Sequence, residues 1–334
     1  MRILLTGGAG FMGSNMVQYL LKQYDDVEVI NFDLLTYAGN LENLADIQDH
    51  PRYTFVKGDI ADARAVEDVV SKGVDLLLNY AAETHVDRSL MDPRAFLHTN
   101  VYGTHTLLEA AKKYEVPRFV QISTDEVYGA VMEGESDEKS PFEPRSPYSA
   151  SKAAADHLCH SYHISFGVPV MVTHSANFYG PYQFPEKLIP LFVCNLLEGK
   201  TVPIYGDGQQ IREWIFTQDH CRAIDLIAQK GNAGETYNIG TGERLPNLEV
   251  TRKLLALTGR DDASMVFVKD RRGHDRRYAL CSQKLRSELG WKPQMAFDDG
   301  LAQTVEWYRT NQPWVARCRS GEYQQYYQRQ YQER

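Results

Sequence analysis

Short apolar runs alternate with helix-like segments through the first half of the chain. Apolar runs bounded by turn residues are typical of buried strands, and apolar positions repeated every three or four residues are typical of amphipathic helices. The pattern predicts strands at residues 2–5, 27–33, 53–57, 76–81, 118–123 and 169–174. It predicts helices at residues 14–24, 61–72, 100–114 and 148–166. Strands that alternate with helices indicate an α/β fold, with a doubly wound parallel sheet covered on both faces.

The alternation loosens after Gly180, where prolines and glycines interrupt the chain. We therefore predict a first domain at 1–178, with returning elements near 205–240. A smaller mixed α/β C-terminal domain follows at 179–334 and binds the substrate. Residues 323–334 are rich in Tyr and Gln. We interpret them as a docked helix, with a partly ordered end as the alternative.

Charge and composition exclude several kinds of partner. The 334 residues carry a formal net charge of −8, which argues against binding nucleic acid or an anionic membrane surface. A small anionic ligand in a local basic pocket stays compatible with that charge. No apolar stretch approaches the ~20 residues of a membrane span, and the N-terminus lacks a signal pattern, so we expect a cytoplasmic location. The five cysteines are widely spaced, which predicts free thiols, no disulfide framework and no metal site.

A glycine-rich turn joins the first predicted strand to the first helix. Gly7, Gly10 and Gly13 are spaced as G-x-x-G-x-x-G, and Asp33 ends the second predicted strand. Glycines let the backbone approach a pyrophosphate at a helix N-terminus, and the carboxylate can bind a ribose while it repels a 2′-phosphate. The set predicts a Rossmann-like fold that binds NAD rather than NADP. Asp59, which follows the third strand, is placed to meet the adenine; a helix-capping Asp is the alternative.

A tyrosine and a lysine stand four residues apart on a predicted helix. Tyr148 and Lys152 therefore share one face, where an ammonium beside a phenol would lower the pKa of the phenol and make it a base. The alternative is an exposed Tyr–Lys contact. A hydroxyl residue, Thr124, ends the fifth strand, and ligands bind at that edge of a parallel sheet.

The glycine turn, this hydroxyl and the Tyr–Lys pair together resemble the extended short-chain dehydrogenase/reductase family, whose catalytic set is Tyr, Lys and Ser or Thr. Longer blocks resemble the dTDP-glucose 4,6-dehydratases of that family. The resemblance extends over nearly the whole chain, and its most specific blocks lie at 35–40, 81–89, 146–152, 179–190 and 273–278.

The resemblance gives two neighbouring acids distinct roles. Tyr148 would take a proton from the glucose O4 as C4 is oxidised, Glu126 would remove the C5 proton, and Asp125 would protonate the departing C6 hydroxyl. One carboxyl must start ionised and the other neutral, and repulsion with desolvation can separate their pKa values. The alternative is that both acids cap the following turn.

The resemblance also implies contacts for both ligands. The NAD contacts are Gly7, Gly10, Phe11, Met12, Gly13, Asp33, Leu34, Thr36, Asp59, Ile60, Ala81, Ala82, Thr99, Tyr148 and Lys152. The nucleotide-sugar contacts are Thr84, Thr124, Asn177, Lys187, Leu188, Pro203, Tyr205, Arg212, Asn247, Arg271 and His274. Among these, Arg212, Asn247, Arg271 and His274 would meet the diphosphate, whose oxygens match arginine forks.

The family also forms homodimers through the helices at 100–114 and 148–166. Their apolar residues Leu107, Leu108, Ala153 and Leu158 could face a second copy or the domain's own core.

Four residues depart from the family pattern: Phe178, Glu213, Arg272 and Cys281. We expect these positions to bear on nucleotide preference.

Three rival functions share parts of this pattern. An NAD-dependent epimerase or dehydratase acting on another nucleotide sugar, such as a UDP-sugar, would share the fold, but an epimerase has no use for the acid pair. A non-catalytic NAD-binding regulator would lack Tyr148 or Lys152. A simple oxidoreductase would consume NAD in proportion to product.

Overall fold

A seven-stranded parallel sheet forms the centre of the fold. A computed structural model of the chain describes residues 1–271 and 273–320. The strands are β1 Arg2–Thr6, β2 Glu28–Asp33, β3 Tyr53–Lys57, β4 Leu76–Asn79, β5 Phe119–Thr124, β6 Val170–Ser175, β7 Asn177–Tyr179, β8 Val202–Tyr205, β9 Ile211–Phe216, β10 Thr236–Ile239, β11 Arg244–Pro246 and β12 Met265–Val268. The strand order is β10-β6-β5-β4-β1-β2-β3. Strands β2 and β3 are added on one side of β1 and the later strands on its other side, so the order switches between β1 and β4. A ligand crevice is expected at that switch point, outside the carboxyl ends of the strands.

Helices cover both faces of this sheet and build the second part of the chain. They are α1 Phe11–Gln23, α2 Ala63–Val70, α3 Val86–Met91, α4 Arg94–Phe96, α5 Thr104–Lys113, α6 Pro147–Phe166, α7 Leu188–Leu197, α8 Thr217–Lys230, α9 Asn247–Thr258, α10 Gln283–Leu289, α11 Phe297–Thr310 and α12 Gln312–Cys318. None of the helices in the described ranges has the length and apolar character needed to cross a membrane.

The sheet core follows directly from the apolar runs. Ile3, Leu4 and Leu5 of β1 are buried, because a strand covered on both faces needs apolar side chains at every position. One cluster packs β1 against α1 and α8, and another packs the opposite face against α2, α5 and α6. A separate cluster joins α7, α9, α11 and α12.

Two small sheets accompany the central one. β7, β9 and β11 form a three-stranded sheet, and β8 pairs with β12. The strand β10 runs parallel to β6 in the central sheet, so the chain returns there at residues 236–239. The boundary at residue 178 stays a prediction.

The helix α6 begins and ends where its sequence dictates. Ser146 caps it in a reciprocal capping box with Ser149, Pro147 occupies the first turn, and Gly167 ends it in the left-handed conformation at φ 72°. Each feature satisfies or replaces backbone groups that a helix end leaves unpaired. The helix is thereby fixed against β5 and β6.

The helix predicted at 100–114 begins earlier than expected. Helical backbone starts at Arg94, just after Pro93, and passes through a π-helical stretch at Leu97–Gly103 into α5. Leu107 and Leu108 are buried in the domain's own core. Ala153 of α6 is buried in the cluster on the other face of the sheet, and Leu158 is half-buried against the cluster that holds Leu107 and Leu108. Of the two alternatives left open, the structure thus places Leu107, Leu108 and Ala153 in the domain's own core.

The last described helix, α12, packs near the glycine-rich turn between β1 and α1. Trp314 Nε1 of α12 donates a hydrogen bond to Asn43 Oδ1 at 2.8 Å, and Asn43 Nδ2 donates to the carbonyl oxygen of Ala9 at 3.0 Å. The helix predicted at 323–334 lies outside the described residues. The chain from 312 to 318 thus supports the glycine turn.

Candidate active site

One cavity opens at the carboxyl edge of the central sheet. It has a volume of about 410 Å³, and every cofactor, catalytic and substrate residue named in the sequence analysis lines it. These residues come from segments between Gly7 and His274, so the fold gathers them from most of the chain. Their individual roles stay predictions.

The glycine turn forms a narrow cradle at one end of the cavity. Gly7 has φ +68°, and a Cβ there would lie 2.7 Å from the backbone of Ala81. A Cβ on Gly13 would overlap the carbonyl oxygen of Gly7. Gly10 caps α1 with no side-chain hydrogen bond, so first-turn N–H groups stay available for an anion. The cradle fits the pyrophosphate of NAD.

The carboxylate of Asp33 stands beside this cradle. Oδ2 accepts a hydrogen bond from the Ala9 N–H at 2.9 Å, and Oδ1 accepts one from the Leu35 N–H at 2.7 Å. Burial raises the pKa of Asp33, and these two hydrogen bonds act in the opposite direction. Each oxygen keeps a second lone pair, so the group can still accept ribose hydroxyls.

Asp59 does not cap the following helix, which was the alternative that the sequence left open. Its Oδ1 accepts a hydrogen bond from the Ala61 N–H at 2.8 Å. Asp62, and not Asp59, caps α2, because its carboxylate accepts from the first-turn N–H groups of that helix. Asp59 also lines the cavity next to Ile60. The residue thus shapes the turn and remains able to meet a cofactor.

Tyr148 and Lys152 lie on the face of α6 that closes the cavity. The ammonium of Lys152 donates to the carbonyl oxygen of Ile122 at 2.7 Å. Burial raises the pKa of Tyr148, the Glu126 and Asp125 carboxylates raise it further, and a hydrogen bond with Thr124 lowers it. Burial and the carboxylates thus dominate the pKa of Tyr148, and the role of Lys152 in lowering it stays a prediction.

The acid pair occupies a single 3₁₀ turn at the end of β5. The Thr124 hydroxyl caps this turn by accepting from the Glu126 N–H at 3.3 Å, so the cap does not require either acid. Thr124 also donates to Asp125 Oδ1 at 3.3 Å. Asp125 Oδ2 is buried and has no hydrogen-bond partner among the described residues.

The two acids experience different electrostatic surroundings. Burial raises the pKa of Asp125 well above its usual range, and the Glu126 and Glu213 carboxylates add to the rise. Burial also raises the pKa of Glu126, but Arg271, Arg212 and Lys187 act in the opposite direction. Asp125 is therefore the group that holds its proton, and Glu126 is the group that ionises more readily.

Cations from three distant segments face the opposite end of the cavity. Arg212 donates to the carbonyl oxygens of Ile211 and Asp275 at 2.8 and 2.9 Å, and its guanidinium lies 4.2 Å from the Tyr278 ring centre. Lys187 Nζ donates to the carbonyl oxygen of Thr84 at 2.8 Å. Both side chains are thus fixed before any ligand binds.

Two further groups complete this cationic end. Arg271 Nη1 lies 3.8 Å from Asp87 Oδ1, and its buried Nε has no hydrogen-bond partner within the described chain. His274 Nδ1 lies 2.6 Å from Asp270 Oδ1. Burial and the Arg271 and Arg212 charges lower the pKa of His274 to about 4, so it offers a neutral imidazole at neutral pH.

Several lining residues were absent from the predicted set. Among them are Glu83, Asp87, Glu186 and Tyr278. Each lies inside one of the family-like blocks, which was the available signal. The buried Glu186 accepts from Arg88 Nε at 3.1 Å and from the Tyr37 hydroxyl at 2.9 Å. This contact ties the loop after β2 to the segment before α7.

The four departures from the family pattern differ in position. Phe178 lines the cavity, and its ring lies 4.5 Å from the His220 ring. Glu213 is buried away from the cavity lining and accepts from Arg244 Nε at 3.0 Å. Cys281 also lies outside the lining. Arg272 lies outside the described residues. Only Phe178 is therefore placed to touch a ligand among the three described.

Metal chemistry finds no support in the described part of the chain. No cluster of three or more His, Cys, Asp or Glu side chains there could hold a metal ion. The five cysteines are free thiols, and Cys159, Cys194 and Cys221 are buried.

Comparisons with known proteins agree with this geometry. The family model described as GDP-mannose 4,6 dehydratase matches residues 4–304. A dTDP-glucose 4,6-dehydratase of Streptomyces niveus is 51% identical over 318 residues, covering 94% of each chain. The low-salt glycan biosynthesis protein Agl12 of Haloferax volcanii is 49% identical over 308 residues, covering 92% of this chain and 98% of that protein.

A solved structure shares the whole architecture. The dTDP-glucose 4,6-dehydratase DesIV of Streptomyces venezuelae, solved with NAD and TYD bound, is 52% identical with a TM-score of 0.93, covering 95% of this chain and 100% of that one. The chain belongs to the GDP-mannose 4,6 dehydratase family of extended short-chain dehydrogenases/reductases, and within it to the dTDP-glucose 4,6-dehydratase group.

Proposed function

We propose that this protein is a hydro-lyase that converts dTDP-glucose to dTDP-4-keto-6-deoxyglucose. The observation that carries the proposal is the Asp125–Glu126 pair in the cavity beside Tyr148. Asp125 is buried near the Glu126 and Glu213 carboxylates, whereas the half-buried Glu126 is near Arg271, Arg212 and Lys187. Water elimination between C5 and C6 needs one base and one acid on the same substrate. A 4-epimerase exchanges a proton only at O4, for which Tyr148 suffices, so it needs no acid–base pair at C5 and C6.

Each proton transfer is assigned to a particular side chain. Tyr148, positioned by Lys152 and Thr124, takes the proton from O4. Glu126 takes the proton from C5, which the adjacent C4 ketone has made acidic. Asp125 gives its proton to the departing C6 hydroxyl, and Glu126 returns its proton to C5. Tightly bound NAD supplies a hydride acceptor for C4 and a hydride donor for C6.

The rest of the cavity binds the two ligands. The residues named for NAD, from Gly7 to Lys152, would hold the cofactor, and the α1 N-terminus and Asp33 are suited to its pyrophosphate and its ribose. The sugar lies among Thr84, Thr124, Asn177 and Lys187. The nucleotide diphosphate meets Arg212, Asn247, Arg271 and His274, with Leu188, Pro203 and Tyr205 beside it. On this basis, residues 1–178 and the returning strand β10 form the cofactor domain, and 179–334 mainly bind the nucleotide sugar.

Incubation of the purified protein with dTDP-glucose tests the reaction. The expected product is lighter by one water, with no net accumulation of NADH. The matched control is Tyr148→Phe, which keeps the ring but removes the base and abolishes the first oxidation. A product of unchanged mass would point to epimerisation, and stoichiometric NADH would point to a simple oxidoreductase. Parallel incubation with UDP-glucose compares the rate of water release for the two nucleotide sugars.

The assembly, location and pathway complete the proposal. Exposed apolar side chains of the helical segment 94–113 and of α6 support a homodimer, and five free thiols suit a reducing, cytoplasmic compartment. A 4-keto-6-deoxy sugar is a precursor of deoxysugars, rhamnose among them.

A further inference from the structure

A buried polar network lies behind the catalytic helix, and the proposed reaction does not use it. The Asp156 carboxylate accepts from the Ser123 hydroxyl at 2.6 Å and lies 3.2 Å from His174 Nε2. His174 Nδ1 lies 2.6 Å from the Tyr128 hydroxyl, which also contacts Asn238 Oδ1 at 2.9 Å. The network thus joins α6, β5, the acid-pair turn, β6 and β10.

The members of this network neighbour the catalytic groups in sequence. Asp156 lies one helical turn beyond Lys152 on α6. Ser123 directly precedes Thr124 and the acid pair, and it follows Ile122, whose carbonyl oxygen holds the Lys152 ammonium. A carboxylate that binds β5 from α6 therefore fixes the distance between the two halves of the catalytic set.

The negative charge of Asp156 also acts on the ammonium group of Lys152. Lys152 is 3% exposed and its ammonium makes one hydrogen bond to a neutral carbonyl group. Burial lowers the pKa of Lys152, and the Asp156 carboxylate opposes that effect more than any other charge does. A buried ammonium needs such a counter-charge to stay protonated.

A second cavity of about 290 Å³ borders the network. Asp156 and His174 line it together with Glu138 and His157. The Oδ1 atom of Asp156 is buried without a hydrogen-bond partner among the described residues. No histidine cluster there is suited to a metal ion in the described chain, so the cavity itself carries no ligand assignment.

We infer that Asp156 is a positioning residue for the reaction, which holds Lys152 as an ammonium and fixes α6 against the strand end that carries the acid pair. The inference rests on the proposed function, because it assigns Asp156 an effect on that chemistry. On this inference Asp156, a charged residue outside the active cavity, contributes to the reaction.

Other titratable groups face Lys152 and Asp156 from the packed elements. On α6 and the acid-pair turn, Cys159 and Tyr128 have pKa values raised by burial, so they stay neutral through moderately alkaline pH. Burial and the neighbouring carboxylates also raise the pKa of Tyr148, the proposed base, which shares a face of α6 with Lys152. His174 on β6 is shared by every variant compared, as are Glu138 and the histidines His157, His160 and His163 around the second cavity. A change in the alkaline limb between variants at position 156 therefore reports the Tyr148–Lys152 pair.

The test compares Asp156→Asn with Asp156→Glu in the full-length protein. Asparagine has nearly the same shape and can still accept the Ser123 hydrogen bond, but it removes the charge. We expect Asp156→Asn to lower kcat on the order of tenfold or more, with KM within about twofold, and to move the alkaline limb of kcat on the order of one pH unit to lower pH. Asp156→Glu should keep the limb near its wild-type position.

The control is Asp225→Asn, which removes a hydrogen-bonded carboxylate remote from the cavity, where Asp225 accepts from Tyr19 and Tyr24 at 3.0 and 2.7 Å. If Asp156→Asn lowers Tm but leaves the pH profile of kcat unchanged, the inference is overturned. Where the amide is not accommodated, Asp156→Ser repeats the comparison with a smaller neutral side chain. Failure of the wild-type protein to release water from dTDP-glucose would instead overturn the proposed function.

Discussion

Two adjacent carboxyl groups differ because different charges surround them. Asp125 is buried with one unpartnered oxygen and is repelled by Glu126 and Glu213, whereas Glu126 faces Arg271, Arg212 and Lys187. The sequence predicted the acid pair and its separated pKa values from the resemblance. It could not predict Asp156, because a lone Asp on a helix has no local pattern that distinguishes it from a surface residue.

Asp125→Asn should stabilise the protein at neutral pH while it slows elimination. The folded pKa of Asp125 is raised, so the unfolded carboxyl ionises at lower pH, near ~3.9. Stability therefore falls as pH rises above that value, and asparagine avoids this cost. We expect Tm to rise by about 1–2 °C at pH 7, which corresponds to about 1 kcal/mol in a chain of 334 residues.

The same variant should still oxidise C4. The gain in Tm should disappear below about pH 4, where both states of the wild type are protonated. Glu126→Gln is the matched comparison and should gain less, because nearby cations already favour its ionised form. A lower Tm for Asp125→Asn at neutral pH, or elimination at the wild-type rate, would contradict the acid role.

The arginine-rich run at 270–277 offers a matched pair of substitutions. Arg271 lines the cavity, whereas Arg276 forms an exposed ion pair with Asp207 at 2.7 Å. We expect Arg271→Ala to raise KM for the nucleotide sugar by about tenfold or more, since a guanidinium–phosphate contact is charge-assisted. Arg276→Ala should leave KM unchanged, as measured by initial rates at varied substrate. Equal KM values for the two variants would remove Arg271 from the pocket.

Elements with a continuous apolar run were predicted well, and elements without one were not. Strands β1 to β6 match their predictions within a few residues, and the chain from 53 to 57 matches β3 completely. The π-helical stretch at Leu97–Gly103 does not follow the 3.6-residue period, so the helix was predicted only from residue 100 although helical backbone starts at Arg94. Strands β7 and β11 span only three residues each, too few for alternation to be detected.

The turn between β1 and α1 makes a prediction at the scale of an element. Gly13→Ala should yield protein purified without NAD, because its Cβ would overlap the Gly7 carbonyl oxygen and widen the cradle. The control is Gly259→Ala, at the end of α9, where φ is +67° and a Cβ would meet open space. Gly259→Ala should lower Tm through backbone strain but retain NAD. The NAD content of both variants is measured from the absorbance of the cofactor released by heating. Full NAD content in Gly13→Ala would contradict the assignment of the cradle.

The whole molecule carries net negative charge, yet its cavity gathers cations. The charge of −8 is an average over the chain, whereas Lys187, Arg212 and Arg271 meet at one end of one cavity. Their sequence positions alone gave no reason for them to meet; only the resemblance to the family suggested it. A small dianion is therefore compatible with a surface that repels polyanions.

Subunit pairing is also a property of the whole molecule. Leu97 and Tyr102 on the segment 94–113, with Ile164 and Phe166 at the end of α6, are more than half exposed. Lys112 Nζ of α5 lies 4.6 Å from the Phe166 ring centre, so the two helices are neighbours. Tyr102→Glu combined with Ile164→Glu should convert a dimer to a monomer in light scattering. A dimer that persists, or a monomeric wild type, would refute pairing through this surface.

The contact between α12 and the glycine turn links the order of synthesis to cofactor capture. Trp314 holds Asn43, which in turn holds the Ala9 carbonyl group inside the cradle. During translation the cradle residues are made long before Trp314, which supports them. NAD binding is then expected to follow synthesis of α12 rather than to template folding of the cradle. A nascent chain that still lacks α12 would be a weaker NAD binder than one that includes it, whatever the cofactor supply of the cell.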